Sequence, residues 1–412
     1  MFQRTYYTNQ IYESIDIVAI TVLIGARQVG KTTIMEGLSL GKAKVTLYGQ
    51  SDSDSNLFSQ LILIEQYLKT NLNPEMDGFL LIDEFQYIKD ISVTLKVLTD
   101  KHKKLKVIVT GSSSVDIIQK VEESLAGRVR MIDVYSLSFE EYLMFKDEEL
   151  HREFLKYDIS TQSEVINPAI KDYLKQYLIY GGLPKVALAK KTRQKIDILN
   201  DIYKTYLMRD VKQFVELKES VAFNKLLRFL AAQTANLTNI NELSKLTRIP
   251  YAKVEEYIYL LEQMYIIKAL EPYHSNRKGT ILKMNKTFFF DLGMRNLIYN
   301  SFNDIDIRVD NGALFENFVY LEILKSLRPY NINFFRTKDG AEVDFVVDDP
   351  FHKISFEAKY RELDKEINTR SIKNFNKEHG FDESYLINLD LNKSGKDDIR
   401  YLPAHLIAKI GL

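Results

Sequence analysis

Cysteine is absent from this chain of 412 residues, and its absence excludes several kinds of chemistry at once. The chain forms no disulfide, no thiolate metal site, no iron–sulfur cluster and no cysteine nucleophile. Positive charge is not in excess either, because Lys and Arg together number 56 and Asp and Glu also number 56. A chain without net charge has no overall basic field for nucleic acid, so any DNA contact must come from a local patch.

Glycine and proline are also scarce, with 17 and 8 residues, and the 27% of charged residues is typical of folded globular domains. The most apolar early run, residues 15–26, contains Asp16 and is far shorter than the roughly 20 residues of a membrane helix. The first residues lack an apolar core followed by a small-residue cleavage site. We therefore expect a soluble, cytoplasmic protein with no membrane partner and roughly three domains.

Short β-branched runs alternate with amphipathic stretches in the first part of the chain. They predict strands at Ile17–Ile24, Lys44–Tyr48, Phe79–Ile82, Lys106–Thr110 and Val129–Val134. Strands that alternate with helices indicate a parallel sheet covered on both faces, which is an α/β fold. A polar segment, residues 146–167, is typical of a linker or a surface helix, and helical periodicity then continues through Glu219.

Three short helical stretches and an apolar hairpin follow between Ser220 and Asp291, in an order that resembles a winged helix-turn-helix. The second helix is expected at Asn241–Leu246 and the recognition helix at Tyr251–Met264. The recognition helix carries one Lys against three Glu, so packing inside the protein is favoured over DNA reading. The hairpin carries the basic cluster of the region, close to His274: Arg277, Lys278, Lys283 and Lys286. Phosphate contact and a solvated charged turn are both open interpretations of this cluster.

The remainder of the chain predicts a second α/β region, with a helix, three strands, a helix and a further strand. We expect four domains: residues 1–145 form a parallel-sheet domain, 146–219 a helical region, 220–310 a winged-helix-like domain and 311–412 a C-terminal α/β domain.

A glycine-rich loop follows the first predicted strand and precedes a helix, in the Walker A pattern. Its expected nucleotide-binding residues are Gly25, Ala26, Arg27, Gln28, Val29, Gly30, Lys31, Thr32 and Thr33. The glycines let backbone N–H groups face phosphates, Lys31 reaches the terminal phosphates and the Thr32 hydroxyl ligates magnesium. A plain glycine-rich turn is the alternative, and both the pattern and its position between strand and helix disfavour it.

A second motif, Phe79–Glu84, is an apolar run that ends in two acids, as expected of a buried strand delivering carboxylates to the edge of a parallel sheet. Asp83 is expected to hold the magnesium ion through water, and Glu84 to polarise the attacking water. An ordinary solvated strand end is the alternative. The 52-residue interval from Lys31 to Asp83 leaves room for one strand and one helix, in an arrangement that resembles the AAA-like division of P-loop ATPases.

Two further kinds of catalytic group are expected around the phosphates. Ser112, with Thr110 close behind, ends the next strand where AAA-type enzymes place a polar sensor, although a helix-capping Ser-rich turn is an equal and compatible interpretation. Arg128 and Arg209 are the candidates for an arginine that neutralises charge in the transition state, or else each belongs to a surface ion pair.

The C-terminal region places acids and a lysine on neighbouring predicted strands. Asp344 lies in the strand EVDFVV, and Glu357 and Lys359 follow in FEAK, where strand alternation puts both on one face. Glu316, in a preceding helix, is a candidate third carboxylate. These residues resemble the PD-(D/E)XK nuclease core, a likeness that implies magnesium held by Glu316, Asp344 and Glu357, with Lys359 helping to activate water. An ion network on a partner-binding scaffold is the open alternative.

Nearly the whole chain resembles a large prokaryotic group of AAA-family ATPases that carry an uncharacterised C-terminal domain related to restriction endonucleases. The likeness rests on GARQVGKT, FLLIDEFQYI, VTGSSS, ESLAGRVRMIDVYSLSFEEY, YGGLP, GAEVDFVV and FEAKY. It implies ATP binding, and the magnesium expected at Thr32 and Asp83 would accompany the nucleotide.

Three hypotheses for the function follow. In the first, ATP binding and hydrolysis control a magnesium-dependent DNA-processing activity in the C-terminal domain. In the second, ATP operates a switch, and the C-terminal domain only grips a protein or a nucleic acid. In the third, the chain is a winged-helix regulator of transcription, and the acidic recognition helix counts against it.

Overall fold

The computed structural model describes residues 3–112, 125, 127–159, 167–207, 215, 219–274, 284–395 and 398–410. The chain divides into two units, the first made of Met1–Ser136 with Gln263–Tyr265 and the second of Leu137–Glu262 with Ile266–Leu412. The expected division into four domains stays a proposal.

The first unit is built on a sheet of five parallel strands in the order β2-β3-β4-β1-β5. The strands are β1 Ile20–Gly25, β2 Lys44–Tyr48, β3 Gly78–Asp83, β4 Leu105–Ser112 and β5 Val129–Asp133. The central strands are almost entirely buried, as their continuous apolar runs predict for a sheet covered on both faces. Because all strands are parallel, their carboxyl ends lie at one edge of the sheet.

The α-helices in the described part of the first unit are α1 Thr5–Ile17, α2 Lys31–Glu36, α3 Asp52–Leu57, α4 Leu61–Asn71 and α5 Ile91–Lys101. The expectation of a strand from Ile17 is wrong at its start, because α1 ends at Ile17 and β1 begins at Ile20. Tyr7, Ile11 and Ser14 are buried along α1, and their spacing of four and three residues is helical. That stripe was the signal for a helix before the strand.

The second unit begins with helices that continue to the predicted helix-turn-helix. They are α6 Phe139–Lys146, α7 Glu148–Phe154, α8 Pro168–Tyr180, α9 Pro184–Leu188, α10 Thr192–Ile202, α11 Ser220–Ala232, α12 Ile240–Thr247 and α13 Tyr251–Gln263. An antiparallel hairpin follows, β6 Ile267–Leu270 with β7 Lys286–Phe289. This order agrees with the expected one, and the winged-helix interpretation of it stays a proposal.

The chain then continues through α14 Leu292–Tyr299 and α15 Asn311–Glu322 into a mixed six-stranded sheet. Its strands, in the order β12-β13-β11-β10-β9-β8, are β8 Asn333–Arg336, β9 Glu342–Asp348, β10 Lys353–Ala358, β11 Glu383–Asn388, β12 Lys393–Ser394 and β13 Ile399–Pro403, with α16 Arg370–His379 between β10 and β11. Sequence reasoning missed β12 and β13. Phe318 of α15 lies in one apolar core with Phe345 of β9 and Phe356 of β10.

Candidate functional site

At two positions, the loop between β1 and α2 has a backbone conformation that requires glycine. Gly25 has φ 148°, and a Cβ atom there would collide with the carbonyl oxygen of Val134. Gly30 has φ 99° and precedes the first turn of α2. Because both conformations disfavour a side chain, the loop can bring its backbone N–H groups close to an anion at the helix N-terminus.

Lys31 is buried at the base of this loop and is 5% exposed. Its Nζ donates hydrogen bonds to the carbonyl oxygens of Gly25 at 2.9 Å and Ala26 at 2.8 Å. Burial lowers the pKa of Lys31 to about 8, against the opposing charges of Glu84 and Asp83. The Lys31 ammonium is therefore held inside the loop by neutral carbonyl acceptors. A phosphate oxygen can take their place, and because it is charged it accepts a stronger hydrogen bond.

Asp83 lies at the carboxyl end of β3 and joins two hydroxyl groups. Thr32 Oγ1 donates to Asp83 Oδ1 at 2.8 Å, and Thr110 Oγ1 donates to the same oxygen at 2.5 Å. The strand order places β4 between β1 and β3, so Thr110 enters from the middle of the sheet. The Thr32 hydroxyl and the Asp83 carboxylate are hard oxygen ligands of the kind that magnesium prefers, so the donor set fits this ion.

Glu84 occupies a left-handed backbone conformation, with φ 52°. Its backbone N–H donates to Thr110 Oγ1 at 3.1 Å, and its carboxylate Oε2 accepts the backbone N–H of Ser112 at 3.3 Å and the side-chain amide of Gln86. Gln86 Nε2 also lies 2.8 Å from Ser112 Oγ. The carboxylate is thus fixed from two sides at the carboxyl edge of the sheet.

Gln86 was missed by sequence reasoning, although it stands two residues after Glu84 in the motif. Ser112, the favoured sensor, contacts the Glu84 carboxylate and Gln86, whereas Thr110 contacts the Asp83 carboxylate and the Glu84 backbone N–H. Both sensor candidates therefore lie beside the acids.

The other expected loop residues have different surroundings. Arg27 donates to the Tyr87 hydroxyl at 3.1 Å, and Gln28 takes a left-handed backbone with φ 62°. Val29 is buried and its carbonyl oxygen accepts from Arg4 at 3.0 Å, a support that sequence reasoning did not find. The Thr33 side chain is exposed.

Arg128 does not lie at the phosphate loop, its surface ion pair agrees with the alternative interpretation, and its role as the charge-neutralising arginine stays a prediction. Its carbonyl oxygen accepts from the N–H of Ile20, at the amino end of β1, whereas the loop lies at the carboxyl end. Its guanidinium forms an ion pair with Asp100 at 3.0 Å. Residues outside the described part of the chain include the other candidate arginine and much of the two predicted polar turns: Arg209, Ser113, Ser114, Arg277, Lys278 and Lys283.

The C-terminal acids and the lysine meet at the end of neighbouring strands. In the β9–β10 pair Phe345 lies opposite Phe356, so Asp344 and Glu357 are neighbours across the sheet. Asp344 Oδ2 accepts the backbone N–H of Ala358 at 2.8 Å. Lys359 Nζ lies 2.9 Å from Glu357 Oε1, as the shared face of the strand predicts.

Lys286, expected among the exposed basic residues of the hairpin, is buried in the same cluster, and that expectation is wrong. It is 2% exposed, and its Nζ lies 2.8 Å from Glu316 Oε1, forms an ion pair with Glu342 and is 4.0 Å from Asp344 Oδ1. Burial lowers the pKa of Lys286, but the carboxylates outweigh it and hold the pKa above its usual value. Burial, and next Asp344, raise the pKa of Glu316 to about 8.

Comparison with known families gives three matches along the chain. Residues 18–143 match a family model described as an AAA domain, residues 171–304 one described as a domain of unknown function (DUF8612), and residues 311–407 another described as a domain of unknown function (DUF4143). Together with the loop and the acids at the carboxyl edge of the sheet, the first match supports a P-loop ATPase of the AAA class in the N-terminal region.

Two uncharacterized proteins, one of a bacterium and one of an archaeon, are similar to most of this chain. An uncharacterized protein of Haemophilus influenzae is 25% identical over 368 residues, which cover 84% of each chain. An uncharacterized protein of Methanocaldococcus jannaschii is 24% identical over 335 residues, 80% of this chain and 72% of that one. Among solved structures, a Walker-type ATPase of Pyrococcus abyssi is 16% identical and covers 72% of this chain and 96% of its own, with a TM-score of 0.49. In the described part of the chain, no helix combines the length and the apolar character needed to span a membrane.

Proposed function

We propose that this protein binds ATP with magnesium and hydrolyses it at Lys31, Thr32, Asp83 and Glu84. The observation that carries the proposal is the Asp83 carboxylate, which joins Thr32 of the phosphate loop to Thr110 of β4 through hydrogen bonds of 2.8 and 2.5 Å. The contacts bring the loop, the acids and the sensor strand to one edge of the sheet.

Each residue has a role that its surroundings support. The loop N–H groups and the Lys31 ammonium bind phosphate oxygens, and the Thr32 hydroxyl and Asp83 carboxylate would hold magnesium, which supplies positive charge beside the phosphates. The Glu84 carboxylate accepts a hydrogen bond from the attacking water. Ser112 and Gln86 keep that carboxylate in place, so it needs no reorientation as the reaction proceeds.

Replacing Lys31 by Ala removes the charged donor of the loop. We expect the affinity for a fluorescent ATP analogue to fall by roughly ten- to a hundredfold, the equivalent of one charge-assisted hydrogen bond. The matched control is Lys42→Ala, because Lys42 pairs with Asp77 at the surface with its side chain 57% exposed. An equal loss of affinity in the two variants would contradict the binding role of Lys31.

For the C-terminal domain the contacts favour the switch hypothesis over DNA processing. The acids expected to hold metal are instead paired with lysines, Glu316 with Lys286 and Glu357 with Lys359. We propose that ATP occupancy changes the arrangement of the chain, and that this domain binds a protein or a nucleic acid without cleaving it.

Incubation with linear, circular and single-stranded DNA, in magnesium or manganese and with or without ATP, tests this choice. We expect the protein to leave all three DNAs intact, and small-angle scattering to show a nucleotide-dependent change in its dimensions. Cleavage by wild type that disappears in Asp344→Ala would restore the DNA-processing hypothesis instead. Loss of that cleavage in Lys31→Ala as well would show that ATP controls it.

A further inference from the structure

The metal site that the nuclease-like interpretation implies does not fit the C-terminal cluster. Among the residues that the structure describes, no group of three acidic or histidine side chains is arranged to hold a metal ion. Oxygen atoms of all three expected ligands have other partners, since Glu316 pairs with Lys286, Asp344 accepts from Ala358 N–H and Glu357 pairs with Lys359. Glu357 Oε2 is buried without a partner among the described residues, but one oxygen does not make a divalent site.

Lys286 has the surroundings of a bound cation rather than those of a surface lysine. Its strand, β7, pairs with β6, and its ammonium extends from that hairpin to Glu316 of α15 and to Glu342 and Asp344 of β9. The ring of Phe334 covers it, with 5.5 Å between Nζ and the ring centroid. Because only 2% of the Lys286 side chain is exposed, water contributes little to the solvation of its ammonium, and the neighbouring carboxylates take the place of that water.

The place between the acids of the cluster is already taken by a cation, the Lys286 ammonium. Two ammonium groups, those of Lys286 and Lys359, lie among four acidic side chains, Glu316, Glu342, Asp344 and Glu357. An ion held by Glu316 and Asp344 together would lie against the Lys286 ammonium, which already contacts Glu316. In a site this poorly hydrated, repulsion between the two cations is strong.

We infer that Lys286 is the resident cation of this acidic cluster, that it takes the position which the nuclease-like interpretation gives to a divalent metal, and that the cluster binds no such metal while Lys286 is present. The inference goes beyond the proposed function, because it holds whether or not the N-terminal domain hydrolyses ATP. It also assigns a role to the hairpin, which delivers the cation from β7 to α15 and β9.

The test is the binding of Mn²⁺ to the full chain without nucleotide, followed by electron paramagnetic resonance. We expect wild type and Asp344→Asn to bind the same amount of Mn²⁺, and Lys286→Met to bind an additional ion that is lost when Asp344→Asn is added. The matched control is Lys268→Met on the partner strand, where the side chain pairs with Glu262 and is 46% exposed. It should bind as wild type does.

Two results would overturn the inference. One is Mn²⁺ bound to wild type and lost in Asp344→Asn, which would make the cluster a metal site. The other is a folded Lys286→Met that gains no ion, which would mean that the lysine is not what excludes the metal. If Lys286→Met does not fold, the melting temperatures of wild type and Asp344→Asn are measured with and without Mn²⁺. We expect Mn²⁺ to change both melting temperatures by the same amount. A rise in wild type alone would overturn the inference.

Discussion

Replacing Glu84 by Gln is expected to lower the turnover of ATP by on the order of a hundredfold or more, while the affinity for ATP stays close to that of wild type. The Gln side chain has nearly the same shape, but it lacks the carboxylate that accepts a hydrogen bond from water. ATP binding depends on the loop N–H groups and on the Lys31 ammonium, whose hydrogen-bond acceptors are the Gly25 and Ala26 carbonyl oxygens rather than Glu84. The two quantities are measured by steady-state phosphate release and by binding of a fluorescent ATP analogue.

A matched control separates catalysis from a general effect of losing an acid. Glu75→Gln removes a carboxylate from the same unit, where the side chain is 70% exposed and pairs with Lys104, and turnover should remain within about twofold, since exposed pairs contribute little. If Glu84→Gln loses affinity for ATP as much as it loses turnover, Glu84 acts in binding or folding rather than in the reaction.

Replacing Asp310 by Ala is expected to destabilise the second unit by about 3–5 kcal/mol, because it leaves two buried guanidinium groups without their counter-charge. Arg295 is fully buried and its Nη1 lies 2.5 Å from Asp310 Oδ2, while Arg308 Nη2 lies 2.7 Å from the same oxygen. The free energy of unfolding, measured in urea on the full chain, shows the loss.

The same carboxylate gives this stability a pH dependence. Burial alone would raise the pKa of Asp310, but hydrogen bonds from Arg308 and Arg295 outweigh it and lower the pKa to about 2. An unfolded Asp has a pKa near 3.9, so the unfolded chain binds the proton first as pH falls. The contribution is therefore complete above about pH 4 and is lost between about pH 4 and pH 2, where the difference between wild type and Asp310→Ala should shrink.

Asp306→Ala is the control for this effect. Its carboxylate pairs with Lys175 at the surface, with side chains 49% and 42% exposed, so its loss should cost no more than about 1 kcal/mol. Equal losses in Asp306→Ala and Asp310→Ala would show that the buried network is not stabilised by the Asp310 charge.

The phosphate site could be predicted largely from sequence because its signals are local. Lys31 and Thr32 follow a glycine-rich loop, and Asp83 ends an apolar run, so each motif carries its own secondary structure. The roles of Thr110 and Ser112 depend on the order of the strands, which local patterns leave open. Once β4 lies between β1 and β3, Thr110 contacts the Asp83 carboxylate and Ser112 contacts the Glu84 carboxylate.

Other features depend on contacts between distant parts of the chain. Lys286 belongs to a run of basic residues in sequence, and only the partners supplied by α15 and β9 show that it is buried. The position of Arg128 depends on strand pairing in the same way, since the parallel pairing of β5 with β1 puts the start of β5 at the edge opposite the loop. Gln86 owes its role to a turn that brings it back towards Ser112.

The most direct test of the central claim is phosphate release by the purified full chain supplied with ATP. We predict release by wild type in magnesium, none when EDTA removes the metal, and a rate near background for Lys31→Ala, with Lys42→Ala as active as wild type. No release by wild type, or release by Lys31→Ala at the wild-type rate, would contradict ATP hydrolysis at this site.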